Sequence, residues 1–243
     1  MRIPRLYTSQ NLDIDALVSM DKDAARYLKS VLRMTSGQMI SLFNGKGGEY
    51  AAEIVSLSKN QATVTIKESL SNDRESLLKI HLVIGISRGE RMDWVIQKAT
   101  ELGVHSITPI FSERSEVKLA GSRLEKRLTH WQQISISACE QCLRNVVPII
   151  NPAVSLQQCL DSNEGGLKIV LHHRTDRAIT DLQNNDNVIT ILVGPEGGLS
   201  DNEITLAEAH SYSAVKLGPR VLRTETAPLA AISILQSLWG DMG

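Results

Sequence analysis

The sequence has few cysteines, no long apolar run and no apolar segment near its start, features on which disulfide-rich, membrane and secreted proteins depend. Only three cysteines are present in 243 residues, too few for a disulfide framework, so we expect a reducing compartment. No apolar run approaches the ~20 residues needed to cross a bilayer. The first ten residues contain no apolar segment of the kind found in secretory signals. We therefore expect a soluble cytoplasmic protein that does not bind membranes.

An excess of one charge is also missing. The chain has 26 Lys and Arg against 27 Asp and Glu, a formal net charge of −1, which excludes a polybasic tail or membrane anchor. Aromatic residues make up 4% of the chain, which argues against extensive stacking on single-stranded RNA. Because 42% of the residues are hydrophobic, the chain can still bury a substantial core.

Two regions of the chain differ in pattern. Residues 39–68 contain β-rich segments separated by turn-forming residues, and helical spacing of apolar residues precedes them over 22–33. From residue 79 onward, strands alternate with helices, which predicts an α/β domain with a mainly parallel sheet. We expect strands at 79–87, 104–111, 167–173, 188–194 and 214–218. We expect helices at 92–102, 124–142 and 226–239. The polar stretch 69–76 is the best linker, and we place the domain boundary between residues 72 and 73.

A glycine-rich loop follows the predicted strand 188–194. It reads Gly194-Pro195-Glu196-Gly197-Gly198, and a capping box from Ser200 to Glu203 then begins a helix. Ligands of open α/β sheets bind beyond the carboxyl ends of strands, and glycines let backbone N–H groups approach a ligand closely. An ordinary glycine-rich turn has the same pattern, so this loop alone decides nothing.

A second loop of this kind covers residues 217–226, LGPRVLRTET. It also follows a strand and precedes a helix, so we expect it at the same edge of the sheet. Gly218 would form the turn, and Arg220, Arg223 and Glu225 add polar groups beside it. Each charged residue alone would be explained by solvation or by the helix dipole. Two such loops at one edge indicate a ligand site.

Other ligand motifs are missing from the sequence. No phosphate-binding loop, dinucleotide fingerprint or zinc-protease motif occurs, and Cys139 and Cys142 form at most half of a zinc site inside a predicted helix. We expect no metal. Basic residues after strand ends and near the N-terminus are candidates for binding RNA: Arg2, Arg5, Tyr7, Arg88, Arg91 and Arg114.

Five segments and the N-terminus together carry a resemblance to a known family. In chain order these are MRIPRLY, ISRGERMDWVIQKATELGV, IFSERSEVKL, ACEQCLRN, LVGPEGGLS and LGPRVLRTETA. The sequence resembles the ribosomal RNA small-subunit methyltransferase E family of the SPOUT superfamily over essentially its whole length. It departs from that family's pattern at Leu143, where glycine is expected, and at Val146, where arginine is expected.

The resemblance implies a fold and an assembly. Residues 1–72 would form a PUA-like RNA-binding β-barrel, and residues 73–243 a SPOUT methyltransferase domain with a deep trefoil knot. The active unit would be a homodimer. The general rarity of knots means that periodicity alone would never indicate one.

The resemblance also implies a reaction. The methyl donor would be S-adenosyl-L-methionine, giving S-adenosyl-L-homocysteine, and the target N3 of one uridine of 16S rRNA in the small ribosomal subunit. By position, the donor would be bound by Leu171, His172, Gly194, Pro195, Glu196, Gly197, Gly198, Leu217, Gly218, Arg220 and Leu222.

Uridine N3 carries a proton and becomes nucleophilic when that proton leaves, so a base and a charge-stabilising group are needed. We expect Glu225 or Glu140 to accept the proton and Arg144 or Arg223 to stabilise the charge. Two other readings stay open. One is a non-catalytic RNA-binding or ribosome-assembly module that keeps the SPOUT fold, and the other is a small-molecule enzyme that binds another nucleotide in the glycine loops.

Overall fold

The computed structural model describes residues 3–117, 119–162 and 165–243, which form two compact units. The first unit runs to Glu75 and also contains Cys139–Val147. The second unit contains Ser76–Ala138 and Pro148–Gly243. The first unit is therefore made from two separate stretches of the chain.

The first unit is built on a five-stranded sheet. Its elements are β1 (Arg5–Tyr7), β2 (Leu17–Met20), α1 (Lys22–Arg26), β3 (Met39–Phe43), β4 (Glu49–Leu57) and β5 (Ala62–Leu70). The strand order is β1-β3-β4-β5-β2, antiparallel except for β1 with β3. Alternate residues of β5, Ala62, Val64 and Ile66, are fully buried, as expected for a strand with one face on a core. The β-rich reading of 39–68 is confirmed.

The second unit alternates strands with helices, as predicted. Its elements are β6 (Lys79–Gly85), α2 (Arg91–Glu101), β7 (Val104–Phe111), α3 (Gly121–Cys142, whose last four residues belong to the first unit), β8 (Ile149–Ile150), β9 (Val154–Ser155), α4 (Leu156–Asp161), β10 (Leu167–Leu171), β11 (Val188–Val193), α5 (Asp201–Ala209), β12 (Ser213–Val215) and α6 (Thr226–Trp239). The strand order is β12-β10-β11-β6-β7-β8, with β9 also beside β7. Each of these strand pairs is parallel.

Helices cover both faces of this parallel sheet. In β6, Leu82 and Ile84 join the core that includes α2 and α6 residues, whereas Val83 between them joins the core with α4 and α5. A strand covered on both faces needs apolar residues at every position, which explains the continuous apolar run. Because the strands are parallel, the loops that follow β6, β7, β10, β11 and β12 share one edge.

Some local features differ from the sequence expectations. The helical stretch predicted over 22–33 is α1 followed by a π-helical turn, Tyr27–Val31. Helix α3 begins at Gly121, three residues before the predicted start, and ends at Cys142 as predicted, where the next residue, Leu143, adopts a left-handed conformation with φ of 71°. No helix within the described ranges is long and apolar enough to span a membrane. The trefoil knot implied by the resemblance stays a prediction.

Candidate functional site

A cleft of about 530 Å³ lies at the edge of the parallel sheet where the strands of the second unit end. Its walls come from the loops that follow β10, β11 and β12, together with Arg91 and Arg114. The volume lies within the range that small-molecule and cofactor sites occupy. The two glycine loops picked out from the sequence therefore form one cleft.

The loop after β11 requires glycine for steric reasons. A Cβ on Gly194 would lie 2.7 Å from the backbone nitrogen of Leu199, so no side chain fits there. At the end of β6, a Cβ on Gly85 would clash with the backbone nitrogen of Pro195. The loop therefore passes in close contact over the end of β6, and only glycine fits at these two positions.

The loop after β12 is hydrogen-bonded to the loop after β11, Gly194–Gly198, which we call the glycine loop. The hydroxyl of Thr224 donates a hydrogen bond of 2.7 Å to the carbonyl of Gly194. The backbone N–H groups of Thr226 and Ala227 both donate to the carbonyl of Arg223 at 2.9 Å, which fixes the start of α6. The two loops are thus held together by a side chain that the sequence analysis did not single out.

Glu196 links the glycine loop to the loop after β6. Its Oε1 accepts hydrogen bonds from the backbone N–H of Arg88 at 2.9 Å and from the guanidinium of Arg91 at 2.8 Å. Burial alone raises the pKa of this carboxyl, but these hydrogen bonds outweigh burial and hold the pKa below its ordinary value. Glu196 is therefore a carboxylate that organises the rim of the cleft.

Glu203 and Arg114 link the glycine loop to the loop after β7. The capping box predicted at Ser200 and Glu203 is confirmed, with Glu203 Oε2 accepting from the Ser200 N–H at 2.8 Å. The other carboxylate oxygen accepts from the backbone N–H of Glu113 at 2.9 Å. Next to it, the Arg114 guanidinium donates to the carbonyls of Gly197 and Leu199 at 3.1 and 3.3 Å.

His172 lies on the opposite wall, after β10. Its backbone N–H donates to the carbonyl of Val215 at 2.9 Å, which continues the pairing of β10 with β12. Burial lowers the pKa of its imidazole, and the neighbouring His173 and Arg174 lower it further. This ring therefore favours the neutral form. The half-buried side chains of Leu217 and Leu222 give the cleft its apolar walls.

The structure brings together at this cleft all of the residues that the resemblance assigned to the donor site. The cleft is lined by Leu171, His172, Gly194, Pro195, Glu196, Gly197, Gly198, Leu217, Gly218, Arg220 and Leu222. Several further lining residues were not predicted from the sequence, namely His173, Arg174, Lys216, Val221 and Thr224. The run His172-His173-Arg174 directly after a strand is a signal that could have pointed to three of the wall residues.

The four catalytic candidates fall into two pairs. Glu225 and Arg223 line the cleft, with 3.8 Å between Glu225 Oε1 and the guanidinium, and their side chains are 19% and 80% exposed. Glu140 and Arg144 belong to the first unit. Glu140 accepts a hydrogen bond of 2.9 Å from the backbone N–H of Tyr7, and burial raises its pKa. The buried Arg144 forms a 2.6 Å ion pair with Glu75.

The arginines proposed for RNA binding also have different surroundings. The side chain of Arg5 is only 5% exposed, and it donates to the carbonyls of Cys139 and Arg144 at 2.6 and 2.8 Å. Its guanidinium lies 3.8 Å from the centre of the Phe43 ring. Tyr7 is half-buried beside it, whereas Arg88, Arg91 and Arg114 are exposed near the cleft. Arg2 lies outside the described residues.

Comparison with known families matches both parts of the chain. Residues 74–236 match a family model described as an RNA methyltransferase domain. Residues 21–67 match a family model described as an RNA methyltransferase PUA domain. These two matches coincide with the parallel α/β part and with the small β-rich part of the sequence.

Individual relatives match over nearly their full length. The ribosomal RNA small subunit methyltransferase E of Buchnera aphidicola (from Schizaphis graminum) is 39% identical over 99% of this chain and 98% of its own. The crystal structure of the enzyme of that name from Neisseria gonorrhoeae, bound to S-adenosyl methionine, is 40% identical with a TM-score of 0.94 over 100% of both chains. A putative methyltransferase from Legionella pneumophila in complex with its cofactor SAM is 41% identical, with a TM-score of 0.95 over 99% of this chain and 100% of that one.

Proposed function

The chain belongs to the ribosomal RNA small-subunit methyltransferase E family, and on that premise we propose that it methylates N3 of one uridine in 16S rRNA. It is an S-adenosylmethionine-dependent methyltransferase of small-subunit ribosomal RNA. The observation that carries the proposal is that the loops Gly194–Gly198 and Leu217–Arg223 form one shared cleft, in a chain that is 40% identical to a relative with bound S-adenosyl methionine.

The residues of the cleft fit this donor. Gly194, Gly197 and Gly198 line the cleft and carry no Cβ, so their backbone groups suit close hydrogen bonding to the adenine and ribose. Leu217 and Leu222 offer apolar walls for the adenine ring, and His172 borders the same space. When bound, S-adenosylmethionine supplies a methyl group on a positively charged sulfur. The cleft would then release S-adenosylhomocysteine.

We assign the proton transfer to Glu225. Its carboxylate lines the cleft at the start of α6 and is largely shielded from solvent, so it can accept the N3 proton of a uridine placed there. Arg223, whose guanidinium lies 3.8 Å from that carboxylate, would stabilise negative charge on O2 and O4 of the base. Glu140 and Arg144 rank second for these roles, because Glu140 already accepts a hydrogen bond and Arg144 already forms an ion pair within the first unit.

We assign recognition of the target to both units. The first unit would bind RNA as a PUA-like domain, and the exposed Arg88, Arg91 and Arg114 would meet RNA near the cleft. Because the net charge is −1, bulk attraction to RNA is weak, and we propose that the enzyme recognises the folded small subunit. We further propose that it acts in the cytoplasm as a homodimer.

Primer extension across 16S rRNA tests the methylation proposal. A methyl group on N3 blocks base pairing, so reverse transcription stops at the modified uridine in wild-type cells and reads through in a deletion strain. An unchanged stop pattern on deletion would refute the proposal. If the protein binds subunits yet leaves no stop, the non-catalytic assembly module is the better reading, and binding of another nucleotide in place of S-adenosylmethionine favours the small-molecule enzyme.

The role of Glu225 is tested by Glu225→Gln in purified enzyme acting on unmodified small subunits. We expect turnover to fall about 100-fold or more, the usual contribution of a general base, while calorimetric affinity for S-adenosylmethionine changes little. Glu208→Gln is the matched control, since Glu208 is an exposed carboxylate of the same unit and lies outside the cleft lining. Unaltered turnover of Glu225→Gln would remove Glu225 from the scheme.

A further inference from the structure

Val221 is an apolar side chain held out into solvent at the mouth of the cleft. It is 75% exposed and lines the cleft between Arg220 and the half-buried Leu222. Single exposed apolar residues are common on protein surfaces, so exposure alone indicates nothing. Its position beside the proposed site of methyl transfer, the fixed backbone of its turn and the exposed guanidinium next to it distinguish it from such residues.

The turn that carries Val221 is fixed at both ends. Before it, Val215 belongs to β12 of the sheet, and the turn then passes through Gly218 with φ of 78°. After it, Thr224 donates to the carbonyl of Gly194, and the carbonyl of Arg223 caps the start of α6. An exposed apolar side chain on an anchored turn loses little further conformational entropy when it inserts into a binding partner.

The charge beside Val221 is available to a partner. Arg88 is paired with Glu116, Arg91 with Glu196, and Arg114 donates to two carbonyls of the glycine loop. Arg220, by contrast, is exposed and forms no ion pair or hydrogen bond with any other described residue. A free guanidinium next to an apolar side chain is suited to a ligand that combines phosphate with stacked bases.

The proposed reaction requires a group that separates the target base from its neighbours. N3 lies on the edge of uridine that pairs with other bases, so the base must leave its stack before it can enter the cleft. Proteins that unstack bases insert apolar side chains into the gap and hold the backbone through cations. We propose that Val221 fills the space vacated by the target uridine, and that Arg220 binds a flanking phosphate and not the methyl donor to which the resemblance assigned it. This inference rests on the proposed function.

Single-turnover methylation of unmodified small subunits, at saturating S-adenosylmethionine and enzyme, tests the role of Val221. We expect Val221→Gly to slow methylation about tenfold or more, because unstacking costs a few kcal/mol. Val221→Leu should keep most of the rate, since a larger apolar side chain also fills the gap, whereas the isosteric but polar Val221→Thr should be slow. Calorimetric affinity for S-adenosylmethionine should be the same in all three variants, which also shows that they fold.

Two controls accompany this experiment. Leu77→Ser changes another apolar side chain of the second unit, 83% exposed and outside the cleft lining, and should methylate at the wild-type rate. Arg220→Gln should weaken subunit binding and lower the slope of log affinity against log salt by about one, as expected on losing one phosphate contact.

Each result decides the inference. If Val221→Gly methylates as fast as wild type, or if Val221→Thr matches Val221→Leu, Val221 is not a wedge. If Val221→Gly changes the sedimentation of the free protein, the side chain contacts a second copy of the chain instead. Failure of the wild-type protein to methylate any uridine would overturn the proposed function itself, which distinguishes that outcome from failure of the wedge alone.

Discussion

Glu203 makes a sharp prediction about how the cleft is held together. This carboxylate is 5% exposed, and its two oxygens accept backbone hydrogen bonds from two different loops, from Ser200 at 2.8 Å and from Glu113 at 2.9 Å. The change Glu203→Gln keeps the shape of the side chain but leaves one oxygen. The amide nitrogen then faces a backbone N–H, so one hydrogen bond is lost and one buried donor has no acceptor.

The size of the effect follows from these contacts. A hydrogen bond to a charged group contributes about 1.5–3 kcal/mol to the free energy of unfolding. For a chain of this size each kcal/mol shifts the melting temperature by about 2–4 °C, so Glu203→Gln should melt about 3–12 °C lower. Because the loop after β7 also carries Arg114, which bonds to Gly197 and Leu199, affinity for S-adenosylmethionine should fall as well.

Thermal unfolding followed by circular dichroism, with calorimetry for the donor, measures both effects. Glu208→Gln is the matched control, because Glu208 lies on the same helix, α5, with an exposed side chain. It should melt with the wild type. A Glu203→Gln protein that melts within about 1 °C of wild type would refute the view that this carboxylate joins the two loops, given the expected contribution of its hydrogen bonds.

Two further predictions concern pH and backbone strain. The pKa of Glu196 is held below its ordinary value of 4.5, so its stabilisation is complete above pH 4.5 and is lost as the pH falls through the folded-state value. The difference in unfolding free energy between wild type and Glu196→Gln should therefore shrink below about pH 4.5, and a constant difference down to pH 3 would contradict this. At Leu143, a backbone φ of 71° destabilises the folded chain by about 1–2 kcal/mol when the residue has a Cβ. Glycine avoids this strain, but its greater freedom in the unfolded chain cancels about 0.5–1 kcal/mol of the gain. Chemical denaturation should thus find Leu143→Gly more stable than Leu143→Ala; the reverse order would show that the position is unstrained.

Features set by neighbouring residues were predictable from the sequence. Strand β7 and helix α6 have the bounds that periodicity indicated, 104–111 and 226–239, and the capping box at Ser200 is present. Both depend on interactions within a few residues of the chain. Helix α4 was not predicted, because six residues are too few to show a helical period. The π-helical turn after α1 has the same apolar spacing as a helix and could not be distinguished from one.

Contacts between residues that lie far apart in the chain could not be predicted from the sequence patterns. The order strand, glycines, helix indicated that two loops share one edge of the sheet, because parallel strands end together. The bond from Thr224 to Gly194 joins residues 30 apart, and the bond from Glu113 to Glu203 joins residues 90 apart. Likewise, a pattern cannot tell an arginine satisfied inside the fold, such as Arg5, from one open to a ligand, such as Arg220.

The burial of Arg5 has a consequence for the order in which the chain is completed during synthesis. The five strands of the first unit are all made by residue 70, but the carbonyls and amide that accept from Arg5 belong to residues 134 to 140 positions later in the chain. Before Asn145 has been synthesised, Glu49 and the Phe43 ring are the partners of that guanidinium in the folded chain that are already present. A chain cut after Glu75 therefore lacks one piece of the amino-terminal unit, because Cys139–Val147 are encoded in the middle of the gene.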